Sequence, residues 1–344
     1  MSFWLARWAI SPTTQSGKDL SASYSRLFAF SFLRKPPKNS SHPCLRTVKP
    51  PLVRIGDIAR VTGRTVGELQ SLARRPEAHY REHAIVKDGK SRLLTVPDGD
   101  LMDIQRRLHR GLLITIPTNK CVHSAPKRSI LTNARAHLRH PYLSVFDIAD
   151  CFPSVSPYRV QSALKRAGFR DDAALLVTKL TTLEHSLPLG APTSPALLNA
   201  VFVDIDGKIG SVARANGLTF TPYYDDLCLS GGSRTPRLAR VVENILAAHR
   251  LEISISKRHD WGPTDPHTVT KIMVNTSPSP LPEYVNSVQG LINAHRRGVR
   301  VLDATELLSL RGQVAYVNFV NPVAGSALLK LLDSPTQMSG ISTR

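Results

Sequence analysis

Cysteine is scarce. Four residues, Cys44, Cys121, Cys151 and Cys228, are scattered through 344 positions with no C-x-x-C pair. That spacing argues against a disulfide framework and against zinc, and it suits a reducing cytoplasm. Long apolar runs are also missing. No stretch approaches the roughly 18 residues that a membrane-crossing helix needs, so the expectation is a soluble chain without a membrane partner. No internal repeat is visible. Acid is the most telling shortage, with 26 Asp plus Glu against 45 Lys plus Arg and a net charge of +19. A field of that sign attracts polyanions and favours salt-sensitive binding to nucleic acid. An anionic membrane is the rival partner, but no basic amphipathic helix with a wide apolar face stands out.

What is present is enough for a core. Hydrophobic residues make up 42% of the chain, and the length allows two or three subdomains. Residues 1–50 carry eight Lys or Arg and one acid, Asp19, with many Ser and Pro, and read as a basic extension. Residues 101–140 hold eight basic residues and one acid, Asp103. The acids gather further on.

Two acidic stretches stand out. In Leu218-Thr-Phe-Thr-Pro-Tyr-Tyr-Asp-Asp-Leu-Cys-Leu-Ser230, apolar and β-branched residues flank Asp225 and Asp226, which predicts a β-hairpin with both acids at its tip. Adjacent anions repel unless a cation sits between them; a solvated Asp-Asp turn is the plain alternative. In Tyr142-Leu-Ser-Val-Phe-Asp-Ile-Ala-Asp-Cys-Phe-Pro-Ser154, an apolar strand ends in Asp147, with Asp150 read as a turn or cap residue. Together Asp147, Asp225 and Asp226 would supply three carboxylates from two strands, enough to hold two metals about 3.5–4 Å apart.

Other segments surround these. Residues 52–75 read as two short helices, with Thr65 and Glu68 as a capping box; they are either an ordinary helical hairpin or a helix-turn-helix reader. A hairpin turning at Asp88-Gly89 clusters Lys87, Lys90 and Arg92 at its tip, suited to phosphate or merely solvated. A basic helix is expected over 128–137 and a strand over 251–256, ending at Lys257. Leu187-Pro-Leu-Gly-Ala-Pro-Thr-Ser-Pro195 feeds a long apolar helix, an arrangement that offers N–H groups to an anion or serves as a connector. Beyond Pro278 the pattern is helical with basic faces.

In collinear order over residues 52–333, these features resemble a reverse transcriptase, and within that superfamily a bacterial retron-type enzyme. Tyr223-Tyr-Asp-Asp226 is similar to the Tyr-x-Asp-Asp box and Phe146-Asp-Ile-Ala-Asp-Cys-Phe152 to the strand with the first catalytic aspartate. Gly190-Ala-Pro-Thr-Ser-Pro195 resembles the loop beneath the templating base. Asn133-Ala-Arg-Ala-His137 fits the retron Asn-Ala-x-x-His element, and Val269-Thr-Lys271 lies where retron enzymes carry Val-Thr-Gly.

The resemblance implies an α+β right-hand polymerase fold with fingers, a palm of antiparallel sheet plus helices, and a helical thumb. The implied division is a basic extension at 1–50, a helical segment at 51–78, fingers at 79–140, palm at 141–278, and thumb with tail at 279–344. It implies RNA-directed DNA synthesis with two Mg²⁺ ions (Mn²⁺ as substitute) on Asp147, Asp225 and Asp226. Lys87, Arg92, Phe152, Gly190 and Lys257 would bind the dNTP, with Phe152 a steric gate or a core aromatic. Asn133, His137, Val269, Thr270 and Lys271 would bind a cognate structured non-coding RNA. The product would be branched RNA-linked DNA, and an effector protein of an anti-phage defence system would be a further partner. Another bacterial reverse transcriptase (group II intron-like, diversity-generating or abortive-infection type) and a non-catalytic nucleic-acid binder are the alternatives. Three positions depart from the pattern: Leu189 replaces the usual Gln, Tyr224 fills a position usually small and would crowd the primer end, and Lys271 replaces Gly.

Overall fold

The computed structural model describes residues 52–87, 90–232 and 236–334, and the basic extension at 1–50 lies outside them. They fall into two compact units, 52–278 and 279–334. The first mixes helices with antiparallel sheet; the second is helical.

The first unit opens with α1 (Ile55–Thr62) and α2 (Val66–Leu72). The expected capping box forms: the Glu68 amide donates to Thr65 Oγ1 and the Thr65 amide to the Glu68 carboxylate at 2.6 Å. Ile58 and Leu69 are fully buried, so the pair presents its apolar face to the unit's own core, as a helical hairpin does. Strands β1 (Tyr80–Lys87) and β2 (Lys90–Pro97) pair antiparallel from Tyr80↔Pro97 to Lys87↔Lys90. Helix α3 (Gly99–Gly111) follows, burying Leu101, Ile104 and Leu108 at helical spacing.

The sheet that matters for function has the order β4-β5-β3-β6. Its members are β3 (Tyr142–Asp147), β4 (Thr219–Tyr223), β5 (Asp226–Gly231) and β6 (His259–Trp261). Between β3 and β4 run α5 (Pro157–Arg166), α6 (Asp171–Thr181) and the long α7 (Ser194–Ala215); α8 (Pro236–Ala248) follows β5. Most of α7 is buried, Leu197 through Ile209 supplying an apolar face to the sheet.

Two predicted elements change. The stretch 251–256 is not a strand: only Ile253 bridges, to Ile148, and the chain then tightens into a 3-10 turn at Ile255–Lys257. Of its alternating apolar residues Leu251 is buried, but Ile255 is 89% exposed. The edge strand starts three residues later. The basic helix expected at 128–137 shortens to α4 (Ile130–Arg135), capped by Ser129, and Ile130, Leu131, Asn133 and Ala134 turn inward. A small hairpin, β7 (Thr268–Val269) and β8 (Ile272–Met273), closes the unit.

In the second unit α9 (Pro282–Arg296), α10 (Ala304–Val320) and α11 (Pro322–Asp333) enclose Val288, Ile292, Leu302, Leu310, Val314, Val317 and Leu328. Gly325 makes the α10–α11 crossing possible, since a Cβ there would lie 2.1 Å from the Asn318 Cα. No described helix is long and apolar enough to cross a membrane.

Candidate active site

The carboxylates gather where the sheet ends. Asp147, last in β3, is the register partner of Asp226, first in β5, and Asp226 in turn faces Tyr223 of β4. Asp225 sits in the two-residue connection, and its carbonyl accepts the Ile148 amide at 3.0 Å. Two strands and one turn therefore fix all three acids through main-chain bonds. Asp147 is 5% exposed, while Asp225 and Asp226 are half-buried.

A cation already answers Asp147. The 3-10 turn that replaces the expected strand brings Lys257 Nζ to 2.5 Å from Asp147 Oδ1. The Ser254 amide bonds the Asp147 carbonyl at 2.8 Å, which fixes the root of that turn. Among the described residues no three carboxylate, imidazole or thiol groups stand close enough to cage a metal unaided, so the expected three-carboxylate cage is not preformed. The donor set still suits magnesium, which takes hard oxygens and binds through one or two carboxylates plus substrate phosphates. The lysine ammonium on Asp147 occupies that carboxylate as a cation would.

Tyr224 holds a left-handed φ of 59° at the turn. Its ring does not project outward: it is 6% exposed and packs edge-on against Tyr223, ring centroids 5.1 Å apart. Burial pushes both phenols well above their ordinary value of 10.0. Phe152 lies in the turn after β3, 3% exposed. Gly190 is required twice over. Its φ is +128°, and a Cβ would meet the Thr95 carbonyl oxygen and Val96 Cγ2, each at 3.0 Å. The Leu189 carbonyl accepts from the Thr95 amide at 2.8 Å, so this loop is tied to β2 by main chain. Lys87 and Arg92 stand at the far end of the β1–β2 hairpin, and their side chains lie outside the described residues.

The remaining expected residues are brought together, but mostly inward. Thr270 Oγ1 donates to the Ile130 carbonyl at 3.5 Å, and the Arg139 amide donates to the Val274 carbonyl at 3.0 Å, so α4 and the β7–β8 hairpin form one element. Asn133, His137 and Val269 are fully buried and Thr270 is 9% exposed. Asn133 is inside on the buried face of α4, and His137, Val269 and Thr270 are inside beyond it; among the five, Lys271 alone is exposed. Thr270 and Lys271 both carry positive φ, 48° and 63°, the geometry of a two-residue turn that favours glycine. Sequence reasoning did not foresee the hydroxyl partners of His137: its Nδ1 lies 2.6 Å from Ser230 Oγ and its Nε2 2.6 Å from Thr221 Oγ1. The signal was faint, a Thr and a Ser on facing strands.

Residues 85–269, more than half of the chain, match the model of the reverse transcriptase (RNA-dependent DNA polymerase) family. This chain belongs to the reverse transcriptase family. The matched span contains the Asp147–Asp225–Asp226 constellation and ends at β7. Among curated relatives, the retron Mx162 reverse transcriptase of Myxococcus xanthus is 28% identical over 317 residues, covering 80% of this chain and 65% of that protein. The retron Mx65 reverse transcriptase of the same organism is 29% identical, covering 80% and 70%. The retron Ec86 reverse transcriptase of Escherichia coli is 27% identical, covering 66% and 72%. The chain thus spans about two thirds of the length of these relatives.

Proposed function

We propose that this chain is a retron-type RNA-directed DNA polymerase that copies part of a cognate structured RNA into DNA joined to that RNA. The observation that carries this reading is the register pairing of Asp147 with Asp226, one residue from Asp225, at the shared end of two strands. Clustered carboxylates in a chain of net charge +19 make sense where cations and a polyanionic substrate meet; a mere binder of polyanions gains nothing from them.

In this reading Asp147, Asp225 and Asp226 hold two magnesium ions, for which manganese can substitute. Bound magnesium supplies charge neutralisation on the triphosphate and a lowered pKa for the primer hydroxyl. The chain's own residues position and select. Main-chain bonds at Ile148 and Ser254 hold the carboxylates' backbone still, as in-line phosphoryl transfer requires. Lys257 supplies a proton-bearing cation for the leaving diphosphate. Lys87 and Arg92 neutralise the β- and γ-phosphates, Gly190 lets backbone approach backbone beneath the substrate, and the Phe152 ring rejects a ribose 2′-hydroxyl. RNA phosphates meet the exposed Arg135, Arg139 and Lys271 of the α4–hairpin element, with Asn133, Val269 and Thr270 supporting it from inside. Work in phage defence beside an effector protein completes the proposal.

Expressing the gene together with its neighbouring RNA-coding region tests it. The expected product is a short DNA that stays joined to RNA after protein removal and shifts in mobility on RNase treatment. DNA synthesis that yields only unlinked strands would overturn the retron reading and leave family membership intact.

A further inference from the structure

His137 lies outside the set of groups that carry charge to the substrate, yet among the described residues it is an imidazole bonded at both ring nitrogens. It follows α4 by two residues, is fully buried, and bonds at both ring nitrogens, each at 2.6 Å. Its partners sit on different strands of one hairpin: Thr221 on β4 and Ser230 on β5, both almost wholly buried. Thr221 pairs with Cys228, and Ser230 with Thr219, so the two hydroxyls are diagonal neighbours on one face. By strand alternation Asp226, Cys228 and Ser230 share that face. The bridge therefore spans the hairpin four residues below its acidic tip.

We propose that His137 is a positioning residue for nucleotidyl transfer: it staples β4 to β5 through Thr221 and Ser230 and so fixes where Asp225 and Asp226 stand. The assignment differs from direct RNA contact, which a side chain with no exposed surface cannot make in this structure.

The chemistry of the staple needs a neutral imidazole, which has one donor and one acceptor to give to two hydroxyls. Burial supplies it, pushing the His137 pKa down to about 3, with smaller contributions from His140 and His123. Ser230 Oγ also lies 2.6 Å from His140 Nδ1, so two imidazoles share this hydroxyl. His123 Nδ1 meets Thr132 Oγ1 at 3.0 Å, and the His123 amide donates to the Pro222 carbonyl at 3.1 Å. A second tie from the same neighbourhood thus reaches β4 next to Thr221. β4 is an edge strand that pairs with β5 alone, so its position depends on such ties, and a displacement of about 1 Å at a reacting group costs roughly 10²-fold in rate.

The inference rests on the polymerase reading, and one set of variants separates the two. Full-length wild type, His137→Leu, His137→Gln and Ser230→Ala are compared for dNTP incorporation on a generic primed RNA, for affinity to the cognate RNA, and for amide exchange across β4 and β5. Incorporation by wild type tests the polymerase reading; amide exchange tests the staple without any activity. His137→Leu should lower kcat by about 10- to 100-fold, with dNTP KM and RNA affinity unchanged and exchange at residues 219–231 accelerated. His137→Gln, which keeps a donor and an acceptor, should recover part of kcat. Ser230→Ala, which removes one hydroxyl only, should lose less than His137→Leu, and the double variant should lose no more than His137→Leu alone. Loss of RNA affinity with kcat preserved would overturn the proposal in favour of RNA contact. A kcat deficit equal in Leu and Gln variants, tracking only the folded fraction, would overturn it in favour of general stability.

Discussion

Lys257 and Asp147 form a direct ion pair at the centre, and the pairing is uneven: the lysine side chain is 48% exposed and the carboxylate 7%. An ammonium that reaches a buried acid from solvent can leave it when a better cation arrives, and on the proposed reading it would then stand beside the triphosphate. Lys257→Ala is expected to lower kcat on the order of 10²-fold, the usual worth of a positioned acid, and to leave RNA affinity unchanged; single-turnover incorporation against binding measures both. Asp206 sits at the opposite extreme. Its carboxyl is 2% exposed, Oδ1 has no partner, and burial holds its pKa well above 3.8. The folded chain therefore keeps a proton that the unfolded chain releases above pH 3.8, so stability is lost as pH rises toward the folded value. Asp206→Asn should raise the melting temperature at pH 8 and change it little at pH 4.

Elements carry the geometry. Gly190 follows the Leu189 carbonyl that ties the loop before α7 to β2, and its φ is positive, with room for a Cβ only 3.0 Å from the Thr95 carbonyl oxygen. Gly190→Ala should cost about 1–3 kcal/mol in chemical denaturation, together with a raised KM for dNTP, because the β1–β2 hairpin would have to move away. Much at this scale was legible in the sequence. The Thr65–Glu68 capping box, the hairpin of 80–97, the strand ending in Asp147 and the hairpin that carries Asp225 and Asp226 follow from local chemistry that tertiary packing did not override, though Asp226 opens β5 and the turn itself is Tyr224-Asp225. The failures are as physical. Residues 251–256 alternate like a strand, but their pairing stops at the single Ile253–Ile148 bridge, and the ladder forms at His259–Trp261 instead. Asn133 and His137 are polar and near basic residues, which suggests a surface. Only the fold reveals that Thr221 and Ser230 satisfy the histidine indoors, because those partners are 84 and 93 residues away.

At the scale of the whole molecule, charge and burial pull in different directions. The excess of +19 favours polyanions, while the interior holds imidazoles neutral. Burial brings His123 to about 4 and His137 to about 3, from 6.5. Both folded values lie below the unfolded one, so the unfolded chain takes up protons first as pH falls. The stability these groups contribute is whole above pH 6.5 and lost between there and about pH 3–4. Thermal denaturation between pH 7.5 and 4.5 should show this decline, and His137→Gln should flatten part of it. The identity of the whole was legible because the acidic motifs are local and arrive in order. How the interior supports them was not, since that depends on contacts between distant segments.

The central claim is that Asp147, Asp225 and Asp226 form the polymerising centre. Its most direct test measures magnesium-dependent dNTP incorporation on a primed RNA template by wild type and by Asp225→Asn with Asp226→Asn. Wild type should extend the primer, and the double variant should show no extension while binding the RNA as tightly as wild type. Extension by the double variant at the wild-type rate would contradict the account.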